Sequence, residues 1–440
     1  MLFPENTEQV QELVRNARKT GRGLVPVSSG APHFHGASEN PAAETVSFSR
    51  MDRIMKIDRE GRYVRVEAGV TFGTLLPLMK EQGLRLNLPF LARAGKSVAA
   101  SALEREAVLM PKYQYDYPDP LLTVETVFGT GDVFRTGSAA GPGSYEENRA
   151  DKILPWGPGT VDYLRFLTAA QGTVGLVTWA TLKAEILPSR SRLFFISSDR
   201  AENLVDLAAV LALRRIPDEC VILNRENFAA AFGDDDSEEA ALRGVSPWIM
   251  LCRVCGYDRY PEERLAIYDG YVKDACGEFG LRAETVCGLL PGLEEKIEAM
   301  LTDCDRRTRS WKLRRGAERE LLLLAPPSKA ARILSIIENE TPCAGLTVQP
   351  QVQGRAVRIE CDLRFADLPG EADKNENALS GLAKKLQNAG AYFDRPYGRL
   401  TELVYGDPVS VEAMRKLKTI FDPDGILNPG KLCFKEGEHV

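Results

Sequence analysis

Two short segments of small residues have the composition and spacing to hold a ligand through the backbone. Ser28-Ser29-Gly30-Ala31-Pro32 follows an apolar run, Gly23 to Val27, and continues through His33-Phe34-His35-Gly36. Successive N–H groups in such a loop can turn inward and form a nest for an anion such as a pyrophosphate. A tight turn between strand and helix would use the same residues. The spacing matches neither the dinucleotide fingerprint of the parallel Rossmann fold nor the phosphate loop of ATPases. Gly172-Thr173-Val174-Gly175 is the second segment. Two glycines among β-formers suit either close backbone approach to a flat or charged ligand or a bulge at a sheet edge.

Other chemistry is sparse. His33, His35 and His439 are the three histidines, so a metal held by two or three spaced imidazoles is not expected. Cys252-Arg253-Val254-Cys255 has redox or half-zinc spacing, but it lies in an apolar strand that turns the thiols apart, and no second such pair exists. A structural role is expected there. Asp234 to Glu239 reads as a solvated acidic loop. Gln349, Gln351 and Gln353 alternate along a strand and share a face, which meets either a ligand or solvent.

The elements that must position these residues are legible in part. Asn6-Thr7-Glu8-Gln9 fits a capping box ahead of a helix carrying Val10, Leu13, Val14 and Ala17, stopped at Gly21. Arg53 to Asp58 and Tyr63 to Ala68 form a hairpin, and a helix runs from Leu75 to Gln82. A second hairpin joins Leu121–Phe128 to Val133–Arg135, followed by an exposed loop from Ser138 to Asn148. A β-rich run then ends near Pro188. Beyond Ser191, strands at Arg192–Ser197, Cys220–Leu223, Trp248–Val254 and Glu320–Leu324 alternate with helices, and Thr347–Gln353 pairs with Ala356–Asp362. That pattern predicts an antiparallel sheet faced by helices.

The 440 residues allow two or three domains. A net charge of −6 argues against a nucleic-acid partner. No apolar run approaches a membrane span, and Met1 to Asn6 carries no secretory pattern. Nine scattered cysteines suit reduced thiols, so a cytoplasmic protein is expected.

Four segments occur in an order that resembles a known family. They are the small loop near Gly30, Val66-Glu67-Ala68-Gly69-Val70, Gly172 to Thr178, and Asp422-Pro423-Asp424-Gly425-Ile426-Leu427-Asn428-Pro429-Gly430-Lys431. Together they resemble the vanillyl-alcohol oxidase/para-cresol methylhydroxylase (PCMH) flavoprotein superfamily. The resemblance implies an α+β fold: a two-subdomain PCMH-type FAD-binding domain with an inserted α+β cap of antiparallel sheet and helices. The boundaries would be 1–190 for the FAD-binding domain, 191–390 for the cap and 391–440 for a tail returning to the first domain. It places the FAD pyrophosphate near Ser28, Ser29, Gly30, Ala31 and Pro32, and near Ser97 and Ser101. Gly172, Thr173, Gly175 and Val177 would line the adenosine and flavin side, with Asn428 and Lys431 approaching from the tail.

Departures from the family pattern sharpen the expectation. Ser28-Ser29-Gly30 and Ala99-Ala100-Ser101 stand where many relatives have glycine-rich runs, yet the backbone donors survive. Some relatives bind FAD through a histidine in the first loop, near the position of Ala31. His33 and His35 lie beyond it, so non-covalent FAD is expected. No histidine stands between 36 and 438, so the metal-assisted chemistry of the D-lactate and glycolate dehydrogenase branch does not transfer.

Gly390 to Gly398 is similar to the segment in which 4-alkylphenol oxidases set a tyrosine–arginine pair on a phenolate. Arg395 matches the arginine, and Asp394 stands in place of the tyrosine. The implied catalytic set is Arg395, Tyr397, Tyr392 and Asp394, acting on an alcohol, a 2-hydroxy acid or a 4-alkylphenol. Electrons would pass to a separate acceptor protein. A flavin-binding subunit of a larger complex, without catalysis of its own, is the alternative.

Overall fold

The computed structural model describes residues 1–31, 43–140, 162–307, 311–312, 317–365 and 372–434. Its first helix, Thr7–Thr20, forms where its cap and apolar stripe require: the Asn6 carboxamide accepts the Gln9 N–H, and Val10, Val14 and Ala17 are buried. A parallel pair follows, β1 (Leu24–Val27) with β2 (Glu44–Ser47). The first large sheet uses β3 (Ile54–Asp58), β4 (Tyr63–Glu67), β5 (Leu84–Leu86), β6 (Leu121–Phe128), β7 (Val133–Arg135) and β8 (Gly175–Ile186). Their order is β3-β4-β8-β6-β7, with β5 on the far part of β8.

Between Ile186 and Arg190 the chain leaves that sheet and begins another. The second sheet takes β9 (Arg190–Ser198), β10 (Glu219–Asn224), β11 (Trp248–Gly256), β12 (Ala317–Ala325), β13 (Gly345–Gln351) and β14 (Ala356–Phe365) in the order β12-β14-β13-β10-β11-β9, all antiparallel. This matches the sheet predicted from the alternation of strands and helices. One face packs Phe194, Ile222, Leu323, Val348 and Ile359 beneath the helices Ala201–Leu213, Pro261–Glu278 and Pro327–Glu340. The other face is apolar near β9–β11 and again at Leu322 and Leu324 of β12. Towards β12–β14, register pairs Thr347 with Glu360, Gln349 with Arg358 and Gly345 with Asp362. A polar row thus runs along a buried sheet face, directed at the first half of the molecule.

The tail returns to the start. Leu24 N–H donates to Ile426 O at 2.7 Å and Asn428 N–H to Leu24 O at 2.8 Å. The turn that makes this return is held by Asp422, whose carboxylate accepts the Ile426 and Leu427 N–H groups and pairs with Lys418 at 2.7 Å.

Some local expectations need correction. Ser138 to Asn148 was expected as an exposed loop, but Ala139 is buried within a short turn of helix; residues from 141 lie outside the described set. Asp234–Glu239 is not an open loop, because Asp235 caps a helix, Asp236–Leu242, that buries Glu239. Gln353 leaves the strand with a φ of 57°. No helix among the described residues is long and apolar enough to cross a membrane.

Candidate cofactor and substrate cavity

A cavity of about 800 Å³ lies where the polar row of the second sheet meets the first half of the chain. That volume is near the upper end for small-molecule sites (roughly 300–1,000 Å³), as a dinucleotide with a substrate would need. Its first wall is built of small residues: Ser28, Ser29, Ala99, Ala100, Gly172 and Gly175. Its second wall carries Gln349, Glu360, Glu320, Lys312 and Trp311, and the loop after the second sheet adds Arg395 and Tyr397.

The glycines of the 172–175 segment serve the chain's own packing. A Cβ on Gly172 would stand 2.4 Å from Pro26 Cγ, and one on Gly175 2.3 Å from Thr126 Oγ1. Gly172 also has a φ of +69°, and its neighbours Ala169 and Gln171 are left-handed as well, at 56° and 51°. Three parts of the molecule converge here. Gln171 Nε2 donates to Pro396 O at 2.7 Å, Gln171 O accepts from Asn428 Nδ2 at 2.6 Å, and Lys418 Nζ donates to Thr173 O at 2.7 Å.

The charged end of the cavity combines both halves. Lys96 pairs with Glu104 at 2.7 Å and with Glu106 at 3.2 Å, and Ser101 donates to Glu106 at 2.5 Å. Arg395 Nη2 lies 3.6 Å from Glu104 and 3.5 Å from the Tyr397 hydroxyl. Burial works against the Lys96 ammonium, but Glu104 and Glu106 outweigh it and leave it raised. Burial likewise opposes the Arg395 cation, and Tyr397, Glu106 and Glu104 outweigh it. Burial pushes the Tyr397 hydroxyl up to about 12 despite Arg395 beside it, so it is a proton donor at neutral pH and not a base. Burial would raise Glu106, and Lys96 and Arg395 overcome it and hold this carboxyl below its ordinary range.

On the sheet wall, Lys312 sits 2.7 Å from Glu320, 3.2 Å from Glu360 and 2.9 Å from Asp362. Burial raises the Asp362 carboxyl in spite of Lys312. No group of three or more His, Cys, Asp or Glu side chains among the described residues is placed to hold a metal ion.

The residues singled out from sequence separate into two groups. Ser28, Ser29, Gly172, Gly175, Val177, Arg395 and Tyr397 border the cavity. Others stand behind it. The Ser97 hydroxyl donates to Ala68 O and caps Ala100, while Thr173 Oγ1 donates to Ala170 O. The Ser101 hydroxyl goes to Glu106, and Asn428 is wholly buried in the tail contact. Gly30 and Ala31 are exposed, and Lys431 is half-buried. Asp394 forms a buried bidentate pair with Arg358, with Nη2–Oδ2 at 2.9 Å, and Tyr392 is 60% exposed with its backbone bridged to Leu324. Pro32, His33, His35 and His439 lie outside the described residues.

Sequence reasoning passed over Lys96, Glu104, Glu106 and Arg93. Their signal was a run of charges immediately flanking the short helix Val98–Leu103, where small residues already marked a buried turn. The thiols of Cys252 and Cys255 do face apart: Cys252 is in the apolar core, and Cys255 Sγ is 3.2 Å from Arg253 on the other face.

Comparisons with known proteins match this geometry. Residues 1–137 match the model of an FAD binding domain, and residues 403–432 match the C-terminal domain of FAD linked oxidases. The chain is 26% identical over 265 residues to 1'-carboxy-chondrochloren decarboxylase of Chondromyces crocatus, covering 58% of this chain and 47% of that protein. It is 21% identical to D-lactate dehydrogenase of Anaerostipes hadrus over 98% of this chain and 88% of that one. It is 27% identical to the 4-cresol dehydrogenase [hydroxylating] flavoprotein subunit of Pseudomonas putida, over 49% of this chain and 41% of that one. The crystal structure of p-cresol methylhydroxylase with substrate bound superposes with a TM-score of 0.81 at 20% identity, covering 98% of this chain and 88% of that one.

Proposed function

We propose that the chain is a dehydrogenase of the vanillyl-alcohol oxidase/para-cresol methylhydroxylase superfamily of FAD-linked oxidoreductases, and that its substrate is an organic anion gripped by Arg395. FAD is its cofactor, and the cavity fits one in size and in having a wall of small residues opposite a wall of polar ones. We take residues 1–190 and the 391–440 tail as the cofactor half and 191–390 as the cap, and the FAD as non-covalently held.

When bound, FAD supplies a two-electron acceptor for hydride leaving a substrate carbon. The rest falls to side chains of this chain. Arg395 is 4% exposed, borders the cavity, and has no partner for its Nε among the described residues. That single observation carries the reading, because a desolvated guanidinium donor costs about 1–3 kcal/mol until an acceptor meets it. A carboxylate or phenolate would do so and orient the carbon to be oxidised. Tyr397 stays protonated beside it and adds a second donor. Glu104 borders the same space between Lys96 and Arg395, and is the carboxylate placed to take the proton from a substrate hydroxyl. A 2-hydroxy acid, or an alcohol that carries a carboxylate or phenolate, satisfies both requirements, and a 4-alkylphenol bound as phenolate satisfies the first.

Electrons then leave for a separate acceptor protein; the 4-cresol dehydrogenase relative is itself named as a flavoprotein subunit. Anaerobic bleaching of the flavin band during a screen of hydroxy acids and aromatic alcohols tests the whole reading. Bleaching that Arg395→Ala abolishes supports it, and bleaching that survives unaltered removes Arg395 from the site. No bleaching by any such compound turns the reading towards a flavin-binding subunit without its own catalysis.

A further inference from the structure

Three buried donors lie close together in the fold, each with a nitrogen that finds no acceptor among the described residues. They are Gln349 Nε2, Arg358 Nε and Arg395 Nε, on residues 1%, 2% and 4% exposed. Gln349 faces Arg358 across the β13–β14 register, Arg358 grips Asp394, and Asp394 precedes Arg395 in the chain. The three therefore form one continuous array. Its inner member, Arg358, is already satisfied at both terminal nitrogens by Asp394 and is not on the cavity border. Its two ends, Gln349 and Arg395, both border the cavity.

Gln349 differs from its strand neighbour in an instructive way. Gln351 points to the same side, and its amide is used up within the protein, donating to Val108 O at 3.1 Å and to Pro350 O at 2.9 Å. Gln349 has an equally buried amide whose nitrogen finds no acceptor among the described residues, on a residue that borders the cavity. Burying an amide donor with nothing to receive it costs free energy, and an apolar residue of similar shape would avoid that cost. An acceptor supplied by a ligand removes the penalty.

We infer that Gln349 is a second recognition point, and that the substrate is a bifunctional organic anion. One anionic group meets Arg395, and a second oxygen acceptor, a hydroxyl, carbonyl or carboxylate, meets the Gln349 amide. The sheet fixes Gln349 while the Gly390–Gly398 loop fixes Arg395, so a rigid skeleton that sets two acceptors at one fixed separation suits the pair better than a flexible one. The aromatic wall beside them, Phe90 edge-on to Trp311 at 5.9 Å, suits a ring as that skeleton. The inference rests on the proposed grip of Arg395 on an anion.

The test uses unreactive ring acids and the flavin absorbance of the holoenzyme. Benzoate offers one anionic group; meta- and para-hydroxybenzoate, isophthalate and terephthalate add a second acceptor. The wild type is expected to bind the best of the four about ten- to hundredfold more tightly than benzoate. Gln349→Met should erase that preference, leave the Kd for benzoate unchanged, and keep or raise the Tm of the ligand-free protein. Gln349→Glu, which offers acceptors in place of the donor, should weaken terephthalate further. A preference that survives in Gln349→Met, a wild type that shows none, or a lowered ligand-free Tm in that variant each overturns the inference. Arg395→Gln separates it from the reading beneath: benzoate affinity unchanged in that variant removes the anion grip, whatever Gln349 does.

Discussion

Two buried polar assemblies join the halves of this protein, and they differ in what they leave open. The first links Arg85 and Lys112, from the part of the chain that builds the first large sheet, to Asp218, Glu219, Arg253 and Tyr257 of the part that builds the second. Asp218, wholly buried, accepts from Arg85 at 2.8 Å, Lys112 at 2.7 Å and Tyr257 at 2.5 Å, while Glu219 takes Arg253 at 2.9 Å and Arg85. Arg85 Nε also finds no acceptor among the described residues, but none of these residues borders the cavity. The second gathers Lys96, Glu104, Glu106, Arg395 and Tyr397 around the cavity, with Gln349 across from them, and leaves two donors unmet. Both contain strongly perturbed groups. Perturbation alone therefore does not mark a site; an unmet donor at the edge of a void does.

The comparison breaks most sharply through stability. Asp218→Ala removes the shared acceptor of two cations and a tyrosine. It should cost about 3–5 kcal/mol in chemical denaturation, because the cations stay buried without it. The folded, FAD-loaded fraction should still bleach at the wild-type rate. Slower bleaching in that fraction would make the clamp part of the chemistry. Arg395→Ala should do the reverse, lowering kcat/KM for flavin reduction about a hundredfold or more with FAD content retained. Glu104→Gln keeps shape and hydrogen bonding but cannot take a proton. Reduction by an alcohol or hydroxy acid should slow about a hundredfold with little change in ligand Kd. A change in Kd alone would assign Glu104 to binding.

The sequence made the scaffold legible and the site only in outline. Strand alternation and turn chemistry disclosed both sheets, because burial on one face imposes a period of two wherever it occurs. The turns around Asp422 were legible from the glycine and proline beside it, but the tail's return to the first domain came from the resemblance. The cavity was harder to read. Arg395 and Tyr397 came from resemblance, whereas Asp394 and Tyr392, two residues apart, end as a buried ion pair and an exposed ring. Lys96, Glu104 and Glu106 were missed because a charged residue in a loop defaults to a solvent reading. Only the fold shows that Arg395 lies over these charges. Gln349 shared its pattern with Gln351, and nothing local says which amide finds a partner.

The smallest expected effect tests whether the open assembly is held together by charge. In the wild type, burial would raise Glu106, but Lys96 and Arg395 hold it below its ordinary range. Its contribution to stability is then present above the unfolded value, about 4.3, and lost as pH falls through the lower folded value. Lys96 is raised, so its contribution is present below about 10.4 and lost only as pH climbs through the folded value. The pair should therefore give a plateau from about pH 5 to about pH 10. Lys96→Met removes the nearer cation, and burial again pushes the Glu106 carboxyl up. That variant gains stability relative to the wild type as pH falls, because a neutral carboxyl suits its surroundings. Thermal unfolding should show a deficit of about 1–2 kcal/mol at pH 7 that shrinks towards pH 4.5. A deficit that stays constant with pH would mean that Lys96 acts through packing, and that Arg395 alone keeps Glu106 charged beside the cavity.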